Sequence, residues 1–196
     1  MKPLNKYNWK PIGPSGGGQT LAAAISPHDP EIVFCASDMG GIYRSINGGK
    51  NFTLLNGHIV SRMCSDYNIT SVAFHPTEKK RVYIGVWNGL VMSEDNGETF
   101  EHIDNYGMTF GPSRIDFDGD AIYFAYNDQG KDCTIVKNAD GKTLLEVPKC
   151  SLGLAVKGEN IVLCVEDNVF VSRDFGKTVE SLLEGNFKGF FRNGDI

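Results

Sequence analysis

Asp38 leads the few side chains in this sequence whose type and setting could do chemistry. It lies in Ser37-Asp38-Met39-Gly40-Gly41-Ile42-Tyr43-Arg44, directly after the apolar run 32–36. A carboxylate in a loop beside two glycines can exchange a proton with a ligand or accept its hydrogen bonds, because bare backbone lets the ligand come close. The plainer alternative is a turn aspartate that hydrogen-bonds its own backbone ahead of Gly40-Gly41. Both readings are open at this level.

The other candidates are weaker. Trp87, in Val86-Trp87-Asn88-Gly89, stands ahead of a corresponding glycine, where an exposed ring would offer a stacking surface and a packed one would fill a core. Tyr106, Met108, Phe110 and Arg114 fall in a loop-like stretch, 105–114, that could line a cleft. Asp66 could supply a second carboxylate. Asp116-Phe117-Asp118-Gly119-Asp120 has the look of a calcium loop but lacks the later glutamate, and reads as a turn. The cysteines (Cys35, Cys64, Cys133, Cys150 and Cys164) form no C-x-x-C pair and none stands beside a histidine at metal spacing. All are expected to be structural, with no catalytic thiol. His28 and His75 are read as occupying equivalent places in a repeat, which also points to structure. No metal site and no cofactor is expected.

Those candidates are carried by a repeat. The run 25–45 aligns with 74–93: Pro27 matches Pro76, Val33-Phe34 matches Val82-Tyr83, and Ser45 matches Ser93. A period near 48 residues suits one four-stranded propeller blade. Each copy ends in a short turn motif: Ser45-Ile-Asn47-Gly-Gly49-Lys-Asn51-Phe52, then Ser93-Glu-Asp95-Asn-Gly97-Glu-Thr99-Phe100, and later Ser172-Arg-Asp174-Phe-Gly176-Lys-Thr178-Val179. A shortened copy is expected at 138–144. In such a turn the Asp or Asn binds the local backbone, and the glycine takes a φ that a β-carbon opposes. The repetition of Asp95 and Asp174 assigns them to the fold, on the outer rim.

The spacing therefore predicts an all-β chain with strands at 20–26, 32–36, 41–45 and 51–55; 69–75, 81–86, 90–93 and 99–103; 114–117, 121–127, 133–137 and 142–147; and 152–156, 160–165, 168–172 and 178–183. As blades these are 9–56, 57–104, 105–148 and 149–184, with 185–196 opening a further one. A propeller closes on itself, because an open end leaves a blade face bare. About four blades are then part of a larger ring, completed by more chain, a second chain or self-association.

The turn motif resembles the Asp-box, or BNR, repeat S-x-D-x-G-x-T-(W/F), which implies a β-propeller. The start of the chain resembles one group of these more closely, the glycoside hydrolase family 74 xyloglucanases and endoglucanases. The matching features are Trp9, Gly16–Gly18, Pro27-His-Asp-Pro30 and Asp38-Met-Gly40-Gly41-Ile-Tyr43-Arg44. The resemblance implies that Asp38 is one of two catalytic carboxylates. Tyr43, Arg44, Trp87 and Tyr106 become candidate contacts to a polysaccharide or oligosaccharide. Inverting glycosidases hold their two carboxylates about 6.5–9.5 Å apart around a water. In that family the partner carboxylate comes from a second propeller, which this stretch does not contain.

Composition narrows the alternatives. The formal net charge of −5, without a basic cluster, argues against nucleic acid and anionic membranes as partners. No apolar run reaches the roughly 20 residues that cross a bilayer as a helix. The first residues lack an apolar leader, leaving a cytoplasmic protein or a secreted one whose leader has been removed. The rival to a hydrolase is a non-catalytic propeller that binds proteins or glycans. A sialidase is disfavoured, since no Arg-Ile-Pro segment is present.

Overall fold

A computed structural model describes residues 20–37, 41–55, 69–87, 89–104, 111–128 and 130–188. These residues form strands without a helix. The first sheet holds β1 (Thr20–Ile25), β2 (Val33–Ser37), β3 (Gly41–Ser45) and β4 (Thr53–Leu54). The second holds β5 (Ile69–Phe74), β6 (Val82–Val86), β7 (Gly89–Ser93) and β8 (Glu101–Asp104). β9 (Arg114–Asp118), β10 (Ala121–Asp128), β11 (Cys133–Asn138) and β12 (Thr143–Pro148) make the third, and β13 (Ser151–Lys157), β14 (Asn160–Val165), β15 (Asn168–Ser172) and β16 (Glu180–Glu184) the fourth. Every sheet is an antiparallel meander in chain order. The expected strands are all present, with ends moved by at most about two residues.

The four sheets are blades of a β-propeller. Successive first strands pack side by side, β1 on β5, β5 on β9 and β9 on β13, so the blades radiate from them. Three apolar layers fill the gaps. Phe34, Ala36 and Ile42 of blade 1 meet Val82, Ile84 and Val91 of blade 2. Tyr83 and Leu90 meet Ile122 of blade 3, and Tyr123, Ala125 and Val136 meet Leu154, Ile161 and Leu163 of blade 4. A blade sandwiched on both faces needs apolar residues on both, which is why β6, Val-Tyr-Ile-Gly-Val, is buried throughout and shows no alternation. The outer flanks differ: Ile25 is 64% exposed, and all of β16 is exposed.

The turns after Ser45, Ser93 and Ser172 share one hydrogen-bond pattern. The serine Oγ accepts from the glycine N–H four residues on, at 2.9 Å in Gly49 and 2.7 Å in both Gly97 and Gly176. The Asn47, Asp95 and Asp174 Oδ1 atoms accept from the amides of Asn51, Thr99 and Thr178 at 2.8–2.9 Å. Each turn is also tied to the first hairpin of its own blade, by Gly48 N to Glu31 O, Asn96 N to Lys80 O and Phe175 N to Glu159 O. The stretch 138–144 is different. Gly141 N donates to Asn138 O and Asn138 N to Lys142 O, a tight hairpin with Asn138 where the serine would stand. It lacks the residue needed for the longer pattern.

The histidines also need correction. Register pairs Ile25 with Val33 and Phe74 with Val82, so His75 is the counterpart of Ser26 and not of His28. The two do the same work. Ser26 Oγ accepts from the amides of His28 and Asp29, and His75 Nδ1 accepts from those of Thr77 and Glu78. His28 then bridges the blades through its Nε2, 2.9 Å from His75 O.

Candidate functional site

The second and third strands of each blade meet at one end of the propeller, opposite the serine turns. In blade 1 that end is the Ser37–Gly41 pair, between which residues 38–40 lie. In blade 2 it is the Val86–Gly89 pair, between which Trp87 lies. Gly41 and Gly89 have φ of 82° and 140°, values open to glycine and opposed by a β-carbon. Asp38 and Tyr106 lie outside the described residues, as do Trp9, Gly16–Gly18, Cys64, Asp66, Met108 and Phe110.

Trp87 is half-buried at this end. Beside it runs the start of blade 3. A β-carbon on Gly111 would collide with the Val86 carbonyl, so the chain crosses directly over the end of β6. Pro112 O then accepts from both Thr70 Oγ1 (2.7 Å) and Ser71 Oγ (2.6 Å). The structure thus brings the Val86–Gly89 turn against Gly111 at the start of blade 3. One blade further on, Asn127 Oδ1 accepts from Ser151 N and Oγ and from Thr134 Oγ1 at 3.0–3.1 Å. Among the described residues at this end, Thr70, Ser71 and Asn127 are therefore already hydrogen-bonded within the fold.

Two expected contacts are placed elsewhere. Arg44 donates from Nη1 to Asn96 O at 3.0 Å and from Nη2 to Glu98 Oε1 at 2.8 Å. Those atoms belong to the serine turn of blade 2, at the far end, so the guanidinium clamps one blade to the next. Its neighbour Tyr43 projects from the other face of β3. It sits in the cross-strand row Ala23, Cys35, Tyr43, Leu54, on the flank turned away from blade 2. Side chains alternate along a strand, so Tyr43 and Arg44 could not both serve one site. Arg114, the fourth loop candidate, donates from Nε to Leu152 O (2.8 Å) and from Nη1 to Ser113 O (2.6 Å). Its burial lowers its pKa from the usual value.

The four described thiols behave as packing groups. Burial raises the pKa of Cys35, Cys133, Cys150 and Cys164, which opposes the reactive thiolate form. Asp116 and Asp118 accept from the Val156 and Gly158 amides at 2.7 Å, a seam between blades 3 and 4.

Glu166 and Asp167 were not singled out from the sequence. They form the β14–β15 turn, the counterpart in blade 4 of Trp87-Asn88. The signal was present, since Val165-Glu-Asp-Asn168 aligns with Val86-Trp-Asn-Gly89.

No family model matches the chain. The chain is similar to known glycoside hydrolases. It is 26% identical over 106 residues to the xyloglucanase Xgh74A of Acetivibrio thermocellus, which covers 48% of this chain and 13% of that protein. The chain thus spans about an eighth of the length of that relative. An ancestral GH74 enzyme of known structure superposes with a TM-score of 0.66 at 18% identity, over 87% of this chain and 25% of the enzyme. U3-55K superposes almost as well, with a TM-score of 0.61 at 14% identity over 86% of this chain and 53% of that protein. The two structural likenesses establish the propeller fold, and the sequence likeness points toward the GH74 enzymes.

Proposed function

We propose that this chain is the propeller portion of a carbohydrate-active glycoside hydrolase built on Asp-box repeats and acting on a xyloglucan-like β-glucan. Asp38 is its acid or base, and the partner carboxylate lies outside residues 1–196. The observation that carries this reading is the sequence similarity to a xyloglucanase. It is supported by topology, since residues 38–40 join β2 to β3 at the same end as Trp87. A carboxylate there would stand at the mouth of the propeller, where a polymer can lie across the blades. Proton transfer by a placed carboxylate contributes about 10²–10⁴-fold to rate. Asp38→Asn in the intact protein is therefore expected to lower xyloglucan hydrolysis by at least about 10²-fold. An unchanged rate removes Asp38 from the chemistry.

The second reading is a non-catalytic propeller that binds protein or glycan. A likeness in fold alone, at 14–18% identity to solved structures, fits this reading equally well. An intact protein that binds xyloglucan without cleaving it decides for this reading.

A further inference from the structure

The turn Glu166-Asp167 does not stand alone. The chain leaving β16 runs back along it, with Gly185 N donating to Asp167 O at 3.0 Å and Phe187 N donating to Glu166 O at 2.9 Å. These two bonds set Asn186 and Phe187 as a second wall. The Phe187 ring lies close over Gly185, where a β-carbon would meet ring Cζ at 3.4 Å. Between the walls is a cleft of about 490 Å³ that also touches Leu152. Across the Asp167–Gly185 rung a second cleft of about 440 Å³ opens, lined by Lys149, Phe170 and Glu184 among others. The clefts flank this rung and share Asp167 and Gly185, and the pair is called the groove below.

We propose that this groove is a binding subsite for a linear polysaccharide, on the same end of the propeller as residues 38–40. Its chemistry suits a neutral polyhydroxylated chain. A pyranose offers an apolar C–H face to an aromatic ring and a rim of hydroxyl donors to carboxylates and amides. Phe187 supplies the ring. Glu166 and Asp167, both exposed, supply the acceptors, and Asn186 supplies an amide. The carboxylates of Glu166, Asp167 and Glu184 outnumber the two lining lysines, Lys149 and Lys188, which disfavours an anionic ligand. A small-molecule pocket encloses most of its ligand, whereas two open compartments joined at a rung admit a chain that continues beyond both. The assignment rests on the carbohydrate reading above and extends it to residues 128 to 149 positions from Asp38.

The test is calorimetric titration of the intact protein, in an Asp38→Asn background, with soluble xyloglucan and with cellohexaose. The parent is expected to bind, and Phe187→Ala and the double change Glu166→Gln/Asp167→Asn are each expected to weaken binding about tenfold. Phe187→Trp, which keeps a stacking ring, should bind like the parent, and thermal midpoints identify any variant that fails to fold. Parent-like binding by the folded alanine and amide variants overturns the proposal. So does a parent that binds neither glycan, or binding that needs added calcium and survives Phe187→Ala. The two assignments fail separately. Normal hydrolysis by Asp38→Asn with loss of binding in the groove variants leaves the groove and removes the catalytic role of Asp38. The reverse pattern removes only the groove.

Discussion

Gly97 backs onto Phe34 across the boundary between blades 2 and 1, where a β-carbon on the glycine would sit 2.6 Å from the ring's Cζ. Gly176 of blade 4 repeats the arrangement against the Leu144 carbonyl of blade 3. Both glycines also have φ near +85°, at 85° and 87°. The glycine of the turn motif therefore answers two demands at once. It allows the backbone of the hairpin, and it lets the turn seat against the preceding blade. Its neighbours reach across the same boundary: Asn96 O accepts from Arg44, and Phe175, held at φ 58°, meets Tyr123 edge-on with 5.9 Å between centroids.

Alanine at these glycines should therefore destabilise, and by unequal amounts. Left-handed backbone costs a non-glycine residue about 1–2 kcal/mol. Overpacking adds about 1–3 kcal/mol. The obstacle at Gly97 is the tip of a ring, which can swing. At Gly176 it is backbone, which cannot. Gly176→Ala is expected to lose about 3–5 kcal/mol and Gly97→Ala about 2–3 kcal/mol. Urea denaturation measures both, and equal small losses would show that the turns do not seat against the neighbouring blade.

Arg44 makes the second prediction. Its guanidinium is nearly buried, with side-chain exposure of 10%, while Glu98 is 66% exposed. The ion pair itself is therefore worth little, and the stability lies in the buried fork and its bond to Asn96 O. Arg44→Met is expected to cost about 1–3 kcal/mol, because Asn96 O loses its donor. Arg44→Lys should rescue only part, since a single ammonium does not reproduce the fork. Xyloglucan binding should not change in either variant. A loss of binding without a loss of stability would return Arg44 to the list of substrate contacts.

These two cases show where sequence reading works on this fold and where it stops. Ser45, Ser93 and Ser172 were legible as turn residues because their partners lie within a few positions, in a pattern that repeats. Strand positions were legible for the same reason. Arg44 was not, because its partners are 52 and 54 residues away in another blade. His75 was paired with His28 by residue type, although the Pro27–Pro76 match already sets it opposite Ser26; an imidazole nitrogen there replaces a hydroxyl, so one geometry hides behind two residue types. Glu166 and Asp167 escaped notice because their turn matches Trp87-Asn88 in position and not in chemistry.

Acid should weaken the serine turns selectively. Burial pushes the Asp95 carboxyl up, but donors from Thr99, Ser93 and Glu98 outweigh it and hold the pKa at about 2. The Thr178 hydroxyl and amide, with Ser172 and Lys177, bring Asp174 to about 2 as well. Both folded values lie below that of the unfolded carboxyl, about 3.9. Folding therefore favours the ionised form. The stabilisation is present above about pH 4 and is lost as pH falls from there toward 2. Asn47 holds the same place in blade 1 and does not titrate. Exchange protection at the Thr99 and Thr178 amides, which donate to these carboxylates, should fall over that range while Asn51 stays protected. Parallel loss at all three would show that acid acts on the whole fold and not on these turns.

The seam between blades 3 and 4 gives the last prediction. β13 is the first strand of its sheet and pairs only with β14, so one of its edges has no strand partner within the blade. Bare edges invite wrong pairing, and proteins cover them. Here the cover is made of side chains spaced two apart on β9. Arg114 Nε donates to Leu152 O at 2.8 Å, Asp116 Oδ2 accepts from Val156 N and Asp118 Oδ2 from Gly158 N, both at 2.7 Å. Period-two spacing puts all three on one face of β9, which meets β13. Asp116→Ala leaves the Val156 N–H without its acceptor, at a cost of about 1–3 kcal/mol. Exchange at the Val156 amide should then accelerate about tenfold or more. Asp116→Asn keeps an acceptor oxygen and should retain most of the protection. Unchanged exchange at Val156 in the alanine variant would mean that the carboxylate is not what closes this edge.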